Sequence, residues 1–198
     1  MRVFGVAGHS GMGKTTLLER ILPVLQTRGL AVSLIKHSHK DLDIDRPGKD
    51  SYRLREAGCQ ELLLMGRRRW VLMHELTEDV EPPLSQLLSK MQACDLVLIE
   101  GFKQGDFPKL EVWRAAMGKP PLWPELPRAL AVATDCPAVI SGKPALSLSN
   151  ASDIADFICQ HACESSDSRD VDLVYPPIRR TPVSSYAVLR NLLWQRSP

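Results

Sequence analysis

The chain has 198 residues, and its 44% hydrophobic and 24% charged content is ordinary for a globular protein with one α/β domain and a further segment. The net charge of +2 provides no overall attraction to polyanions, so neither nucleic acid nor a membrane surface is an expected partner. Five scattered cysteines without a Cys-x-x-Cys pair, and the lack of a signal peptide or a membrane-spanning apolar stretch, predict free thiols and a cytoplasmic location.

In the N-terminal part of the chain, apolar strands alternate with amphipathic helices. The segment from Arg2 to Ala7 is almost entirely apolar, which predicts a strand buried on both faces in the middle of a parallel sheet. A glycine-rich turn follows, and an apolar stripe predicts a helix from about Lys14 to Arg28, in which Pro23 should cause a kink. Residues 31–35 form the second predicted strand, and the charged loop 36–50 leads into a short helix.

The central part of the chain contains a predicted hairpin. Residues 61–65 and 70–74 are short apolar runs, and the basic tip Arg67 to Arg69 between them is too short to form a nucleic-acid-binding patch. The alternation of strands and helices predicts an α/β fold with a mostly parallel sheet flanked by helices, to which this hairpin is added. The other predicted elements are a helix after Pro83, strands over 96–99, 110–113 and 129–133, and a helix capped by Asn150.

Two regions are predicted along the chain. Residues 1–163 hold all of the regular alternation and form one domain. Residues 164–198 are an appendage of unknown role, since they begin with a linker-like run of serine and aspartate and contain several prolines.

The strongest motif in the sequence is a phosphate-binding loop. Residues 8–15 fit the pattern G-x-x-x-x-G-K-[ST] and lie between the first strand and the first helix, the context of a P-loop NTPase fold. The glycines let backbone N–H groups surround a phosphate, Lys14 would bridge the outer phosphates, and Thr15 would bind Mg²⁺. The predicted nucleotide-binding residues of the loop are Gly8, His9, Ser10, Gly11, Met12, Gly13, Lys14 and Thr15.

Carboxylates near the ends of predicted strands extend this site. Glu100 ends the apolar run 96–99 and is a candidate Walker B residue that holds Mg²⁺ or its water. In the loop after the second strand, Asp45 is the best candidate for a water-mediated contact with Mg²⁺, and a solvated charged loop is the alternative. Asp135 follows the run 129–133, where its carboxylate could accept two hydrogen bonds from the edge of guanine or could simply occupy a turn.

Taken together, these segments resemble the MobB family, the adapter proteins of molybdopterin-guanine dinucleotide biosynthesis. The matching stretches are Gly8 to Thr16, Leu34 to His37, Asp43 to Ser51, Leu98 to Lys103 and Ala131 to Asp135. The P-loop alone is shared by a whole superfamily, and its combination with the other four stretches is much more specific.

The resemblance implies a GTP-binding adapter that uses Mg²⁺ and is at most a weak GTPase, with Lys14 and Glu100 as its catalytic residues. GTP would then contact the P-loop, including Thr16, and Asp135, while Thr15, Asp45 and Glu100 would serve the metal. The family forms homodimers and assists the molybdenum cofactor guanylyltransferase that attaches GMP to molybdopterin, with molybdopterin-bearing proteins as further candidate partners. The apolar hairpin and the run 110–113 offer strands that could pair at an edge across a two-fold axis.

Two other functions stay open at this point. A P-loop small-molecule kinase would need an acceptor site with a general base and an arginine-rich lid; residues 67–69 could form a lid, but no acceptor base stands out. A metal-delivery GTPase is suggested by His37 and His39, for which no third ligand is visible. Base preference would distinguish the kinase, and stoichiometric metal retention would support the metal carrier.

Overall fold

The computed structural model describes residues 1–38, 42, 44–76, 80–140 and 142–165. These residues divide into two compact units: the first contains Met1–Ile44 and the segment that starts at Pro82, and the described part of the second lies within Asp45–Glu81. Most of the predicted appendage 164–198 lies outside the described residues, so the predicted boundary after residue 163 stays a prediction. None of the helices that the structure describes is long and apolar enough to cross a membrane.

Nine strands and four α-helices make up the described regular structure. The strands are β1 (Arg2–Ala7), β2 (Val32–Lys36), β3 (Glu61–Met65), β4 (Trp70–His74), β5 (Leu96–Glu100), β6 (Lys109–Trp113), β7 (Ala129–Thr134), β8 (Ala145–Ser147) and β9 (Cys163–Glu164). The helices are α1 (Lys14–Thr27), α2 (Asp50–Glu56), α3 (Leu84–Ser89) and α4 (Ala151–His161). Short 3₁₀ turns occur at Ala115–Met117 and Pro137–Val139.

A mostly parallel sheet forms the centre of the first unit. Its strand order is β2-β5-β1-β6-β7-β8, with every neighbouring pair parallel, and β9 adds an antiparallel pairing with the start of β1. This arrangement confirms the predicted fold class and the central position of β1. Because these parallel strands all end at one edge of the sheet, the segments that follow them meet there, and ligands bind at this edge in such folds.

Alternating side chains of the sheet enter two apolar cores, one on each face. Phe4 and Leu98 belong to the core that α1 and α4 cover, whereas Val3 and Val97 belong to the core that α3 covers. The period of two along each strand therefore places helices on both faces, as expected for a buried parallel strand. Pro23 lies inside α1 and does not end it, since the helix continues to Thr27.

The last helix starts as the sequence predicts. The side chain of Asn150 accepts a hydrogen bond from the backbone N–H of Asp153 at 3.2 Å, which satisfies one of the donors left free at a helix N-terminus. Ile154, Ala155 and Ile158 of this helix are buried in the core.

Two features of the sheet differ from the sequence-based expectation. The run 110–113 was expected to offer an edge for pairing between two copies, but β6 lies inside the sheet between β1 and β7, so both of its edges are already hydrogen-bonded. The short strands β8 and β9 were not predicted, because two or three residues carry too little pattern and their partners are distant in sequence.

The second unit contains α2 and the predicted hairpin. Strands β3 and β4 pair in antiparallel register from Glu61↔His74 to Met65↔Trp70, which confirms both predicted ends of the hairpin. Arg55 of α2 donates hydrogen bonds to the carboxylates of Asp45, at 2.8 and 3.1 Å, and of Glu75, at 3.0 Å. These ion pairs join the helix to the segments before and after it.

Candidate nucleotide-binding site

The loop between β1 and α1 has a backbone conformation that strongly favours glycine at several positions. Gly8, Gly11 and Gly13 have φ values of +137°, +85° and +90°, in the region that disfavours side chains. A methyl group on Gly8 would also lie 2.5 Å from the carbonyl oxygen of Val112. Met12 is completely buried and fastens the loop to the core. The sequence motif therefore folds into a tightly packed loop that leads directly into the N-terminus of α1.

The Lys14 side chain folds back over its own loop. Its ammonium donates hydrogen bonds to the carbonyl oxygens of Gly8, at 3.0 Å, and His9, at 2.9 Å. Burial lowers the pKa of Lys14, and Glu100 opposes this effect. Three neighbouring ammonium groups lower the pKa further, those of Lys103, Lys36 and Lys119. This concentration of positive charge at a helix N-terminus favours a bound anion.

The predicted metal ligands Thr15 and Glu100 lie side by side. The Thr15 hydroxyl is 3.5 Å from Oε1 of Glu100, and the Lys36 ammonium is 3.4 Å from both Thr15 Oγ1 and Glu100 Oε2. Glu100 is only 6% exposed, so Thr15 and Lys36 replace much of the water that would otherwise solvate its carboxylate. A hydroxyl and a carboxylate are hard oxygen donors that suit Mg²⁺, and their position at the start of α1 fits an ion bound beside a phosphate.

Gly101 explains how β2 reaches this cluster. Its φ is +105°, and a methyl group at this position would lie 2.7 Å from the carbonyl oxygen of His37. The backbone N–H of His37 donates to the carbonyl oxygen of Glu100 at 2.8 Å, which continues the β2–β5 ladder past the last pair, Lys36↔Glu100. Glycine after Glu100 therefore permits the close approach that brings Lys36 to the carboxylate.

Asp45 belongs to the second unit and has partners of its own there. Its carboxylate is 7% exposed and pairs with Arg55, and the hydrogen bonds from Arg55 lower the pKa of Asp45. The role of Asp45 as a magnesium ligand stays a prediction, and this ion pair gives the carboxylate a structural role as well. Asp41, Asp43 and His39 lie outside the described residues.

Asp135 occupies the position expected of it at the ligand-binding edge. It directly follows β7, two strands from β1 on the side away from Glu100, and it is exposed. The preceding Thr134 is buried, and its hydroxyl accepts a hydrogen bond from the N–H of Cys136 at 3.1 Å. This hydrogen bond fixes the turn, and the Asp135 side chain is exposed beside it.

The remaining loop residues fall into two groups. Ser10, Gly11, Thr15 and Thr16 are exposed at the surface of the loop. His9 forms a hydrogen bond between Nε2 and the carbonyl oxygen of Pro120 at 3.0 Å, so its ring is engaged with the segment after β6. Nucleotide contacts from this residue are therefore expected through its backbone.

Three further charged residues lie near this edge, and the sequence pattern assigns no role to them: Lys36, Glu111 and Arg114. Glu111 is fully buried, and its carboxylate accepts backbone hydrogen bonds from Leu122, at 2.9 Å, and Trp123, at 2.7 Å. Burial raises the pKa of Glu111, and these two N–H groups oppose the rise. Lys36 ends β2, and Arg114 directly follows β6. A basic residue at the end of an apolar strand is the sequence signal that could have identified both.

The parallel sheet, the glycine loop at the end of β1 and the Thr15–Glu100 pair define a protein of the P-loop NTPase fold. In the described part of the chain, no group of three or more His, Cys, Asp or Glu side chains could hold a metal ion. A site of the Mg²⁺–nucleotide type needs no such group, because phosphate and water supply most of the ligands.

Comparison with known proteins identifies the family. The family described as molybdopterin guanine dinucleotide synthesis protein B, MobB, matches residues 3–135, and this chain belongs to it. Molybdopterin-guanine dinucleotide biosynthesis adapter proteins of Haemophilus influenzae and Escherichia coli are 42% and 40% identical to it over 157 residues. These alignments cover 79% of this chain and 86% of the first relative, and 78% and 89% for the second.

Solved structures agree on the fold. A crystal structure of molybdopterin-guanine biosynthesis protein B superposes with a TM-score of 0.65 at 24% identity, covering 80% of this chain and 98% of its own. Bacillus subtilis MobB gives a TM-score of 0.66 at 22% identity, covering 82% and 99%. The predicted family and fold class are thus confirmed.

Proposed function

We propose that this chain is a GTP-binding adapter that assists the attachment of GMP to molybdopterin. The observation that carries the proposal is the loop of residues 8–15 with Lys14 and the Thr15–Glu100 pair, in a chain 42% identical to a curated adapter of this pathway. The proposed partner is the molybdenum cofactor guanylyltransferase, with molybdopterin-bearing proteins as further candidates. A cytoplasmic location is part of the same proposal.

Different side chains of the site would bind the phosphates and the magnesium ion of a triphosphate. Lys14 would exchange its two carbonyl contacts for oxygens of the outer phosphates, which are charged acceptors and give stronger hydrogen bonds. Thr15 and Glu100 would hold Mg²⁺, which supplies charge neutralisation to the phosphate oxygens when it is bound. Lys36 already interacts with both of these side chains, so it has to share their oxygens with the ion. Competition between Lys36 and Mg²⁺ for these oxygens is compatible with slow hydrolysis of GTP.

The choice of base depends on Asp135 in this proposal. A carboxylate accepts hydrogen bonds from the N1–H and the 2-amino group of guanine, whereas adenine presents neither donor. Asp135→Asn offers one donor and one acceptor, which suits xanthine. We therefore expect the variant to bind GTP more weakly and XTP more tightly than the wild type, and an unaltered base preference would remove Asp135 from the site.

A second copy of the chain is the proposed partner of the hairpin. One face of this two-stranded sheet carries the cross-strand pairs Leu63↔Leu72 and Met65↔Trp70. These side chains are 58%, 38%, 86% and 54% exposed, which is a large apolar surface for a pair of strands. Light scattering should give twice the chain mass of 22.1 kDa for the wild type and the single mass for Met65→Glu combined with Trp70→Glu. Arg68→Ala at the tip is the control that should stay dimeric.

The adapter role is tested with the guanylyltransferase from the same source. GMP attachment to molybdopterin should be faster when wild-type chain is added, and Lys14→Ala should remove this stimulation while leaving thermal unfolding unchanged. Arg28→Ala, which alters a charge at the opposite end of α1, should stimulate like the wild type. No stimulation by the wild type, or equal stimulation by Lys14→Ala, would contradict the proposal.

A further inference from the structure

The segment after β6 brings an arginine onto the phosphate-binding loop. Strand β6 pairs with β1 up to Ala7↔Glu111, so residues beyond its end lie next to the loop that follows β1. Arg114 is the first residue after β6, and a methyl group built on Gly13 would lie 3.3 Å from its Nη2 and 3.6 Å from its Cζ. Its guanidinium therefore packs directly against the residue that precedes Lys14.

This guanidinium has an unmet hydrogen-bonding group. The Nε of Arg114 is buried, and no described residue accepts a hydrogen bond from it. A buried charged donor without an acceptor is unfavourable, and arginine always carries its charge. An anionic ligand in the neighbouring loop would supply an acceptor for the Arg114 guanidinium and so account for this unsatisfied donor.

The segment that holds Arg114 is firmly supported. The buried Glu111 carboxylate binds the N–H groups of Leu122 and Trp123, and the Trp113 indole donates to the carbonyl oxygen of Lys119 at 2.9 Å. These contacts tie residues 119–123 to β6, the strand that directly precedes Arg114. Arg114 can thus contact a ligand without a rearrangement of its backbone.

We infer that Arg114 is a phosphate-binding residue of the nucleotide site, an inference that rests on the proposed function. Glu100 ends β5 and Arg114 follows β6, and these strands lie on opposite sides of β1. The triphosphate would therefore be held between the Thr15–Glu100 pair on one side and the Arg114 guanidinium on the other. A planar guanidinium binds two phosphate oxygens at once, which matches its place beside Gly13.

The test compares Arg114→Ala, Arg114→Gln and Arg114→Lys with the wild type in a titration of fluorescent GTP. Losing charge-assisted hydrogen bonds should weaken GTP roughly ten- to hundredfold in the Ala and Gln variants, with a smaller loss in the Lys variant. The loss should be the same with Mg²⁺ and with EDTA, because Arg114 lies on the side away from the metal ligands. Arg28→Ala is the matched control and should bind like the wild type.

Inorganic tripolyphosphate, used as a competitor, separates phosphate contact from base contact. Arg114→Gln should weaken tripolyphosphate by the same factor as GTP; if GTP alone is weakened, the arginine contacts base or ribose and the inference is wrong. Unchanged GTP affinity in Arg114→Gln, with Lys14→Ala still impaired, would refute the inference and leave the proposed function intact. A wild type that binds no GTP would refute the proposed function itself. Should Arg114→Ala fail to fold, the Gln variant decides the result.

Discussion

Replacing Gly101 with alanine tests how the end of β2 is joined to the candidate magnesium site. The new methyl group would lie 2.7 Å from the carbonyl oxygen of His37, well inside ordinary contact distance, and the backbone φ of +105° is unfavourable for alanine. The clash is with main chain, so it cannot be relieved by turning a side chain. The carbonyl of His37 has to move away from Glu100, and Lys36 moves with it.

Gly29 provides a matched control for the backbone strain. Its φ is +78°, and no atom lies within 4 Å of the position that a methyl group would take. Alanine in this backbone region costs about 1–2 kcal/mol, and the crowding at Gly101 should add roughly 1–3 kcal/mol. For a chain of this size, the additional loss from crowding corresponds to a Tm lowered by roughly 2–12 °C.

Thermal unfolding and GTP titration of the two variants provide the assay. Gly101→Ala should have the lower Tm and should lose the part of its GTP affinity that depends on Mg²⁺, while its affinity in EDTA stays close to that of the wild type. Gly29→Ala should lose stability alone. If the two variants have the same Tm and the same Mg²⁺ dependence, the close approach of His37 to Gly101 does not support the site.

Three further changes test other parts of the fold. Burial lowers the pKa of Lys109 to about 8 from 10.5. At pH values between these two, the folded chain therefore binds fewer protons than the unfolded chain. As the pH rises through this interval, the free energy of unfolding of the wild type, measured in urea, should increase by up to about 3 kcal/mol relative to that of Lys109→Met. If the difference between the two proteins does not change with pH, burial does not lower the pKa of Lys109. Glu111→Gln keeps one oxygen that can accept from Leu122 and Trp123, but it replaces the other carboxylate oxygen with an NH2 group that faces the Leu122 N–H. Calorimetric unfolding should show a loss of roughly 1–3 kcal/mol together with weaker GTP binding. A chain truncated after residue 165 keeps β9 and should retain a cooperative thermal transition and GTP binding; loss of either would show that the predicted appendage supports the domain.

Much of the fold follows from local sequence pattern. The apolar run of β1 and both hairpin strands were predicted at the residues where they occur, because each strand's pattern and its turn signals lie within a few residues of one another. Strands β8 and β9 lack such a signal. They are strands only because β7 and β1 offer them hydrogen-bond partners, and this depends on the whole sheet.

The same contrast applies to the site. The loop of residues 8–15 is contiguous, so its motif could be read directly, and Glu100 became a candidate because it ends an apolar strand. The places of Lys36 and Arg114 beside the loop depend on strand order, since β2 lies beside β5 and β6 lies beside β1. Sequence spacing does not reveal these neighbours. The ion pair of Asp45 with Arg55 is likewise a tertiary contact that a pattern of charges cannot specify.

We propose that the loop of residues 8–15 and Asp135 form a GTP site that uses Mg²⁺. Isothermal titration calorimetry of the full chain with GTP and with ATP, each in Mg²⁺ and in EDTA, tests it most directly. We expect GTP binding that Mg²⁺ strengthens and Lys14→Ala weakens. ATP should bind roughly a hundred- to a few thousand-fold more weakly, because roughly 3–5 kcal/mol of hydrogen bonding to Asp135 is lost. Equal affinity for ATP and GTP would contradict the base assignment and favour the kinase alternative, and GTP binding that is indifferent to Lys14→Ala would contradict the site.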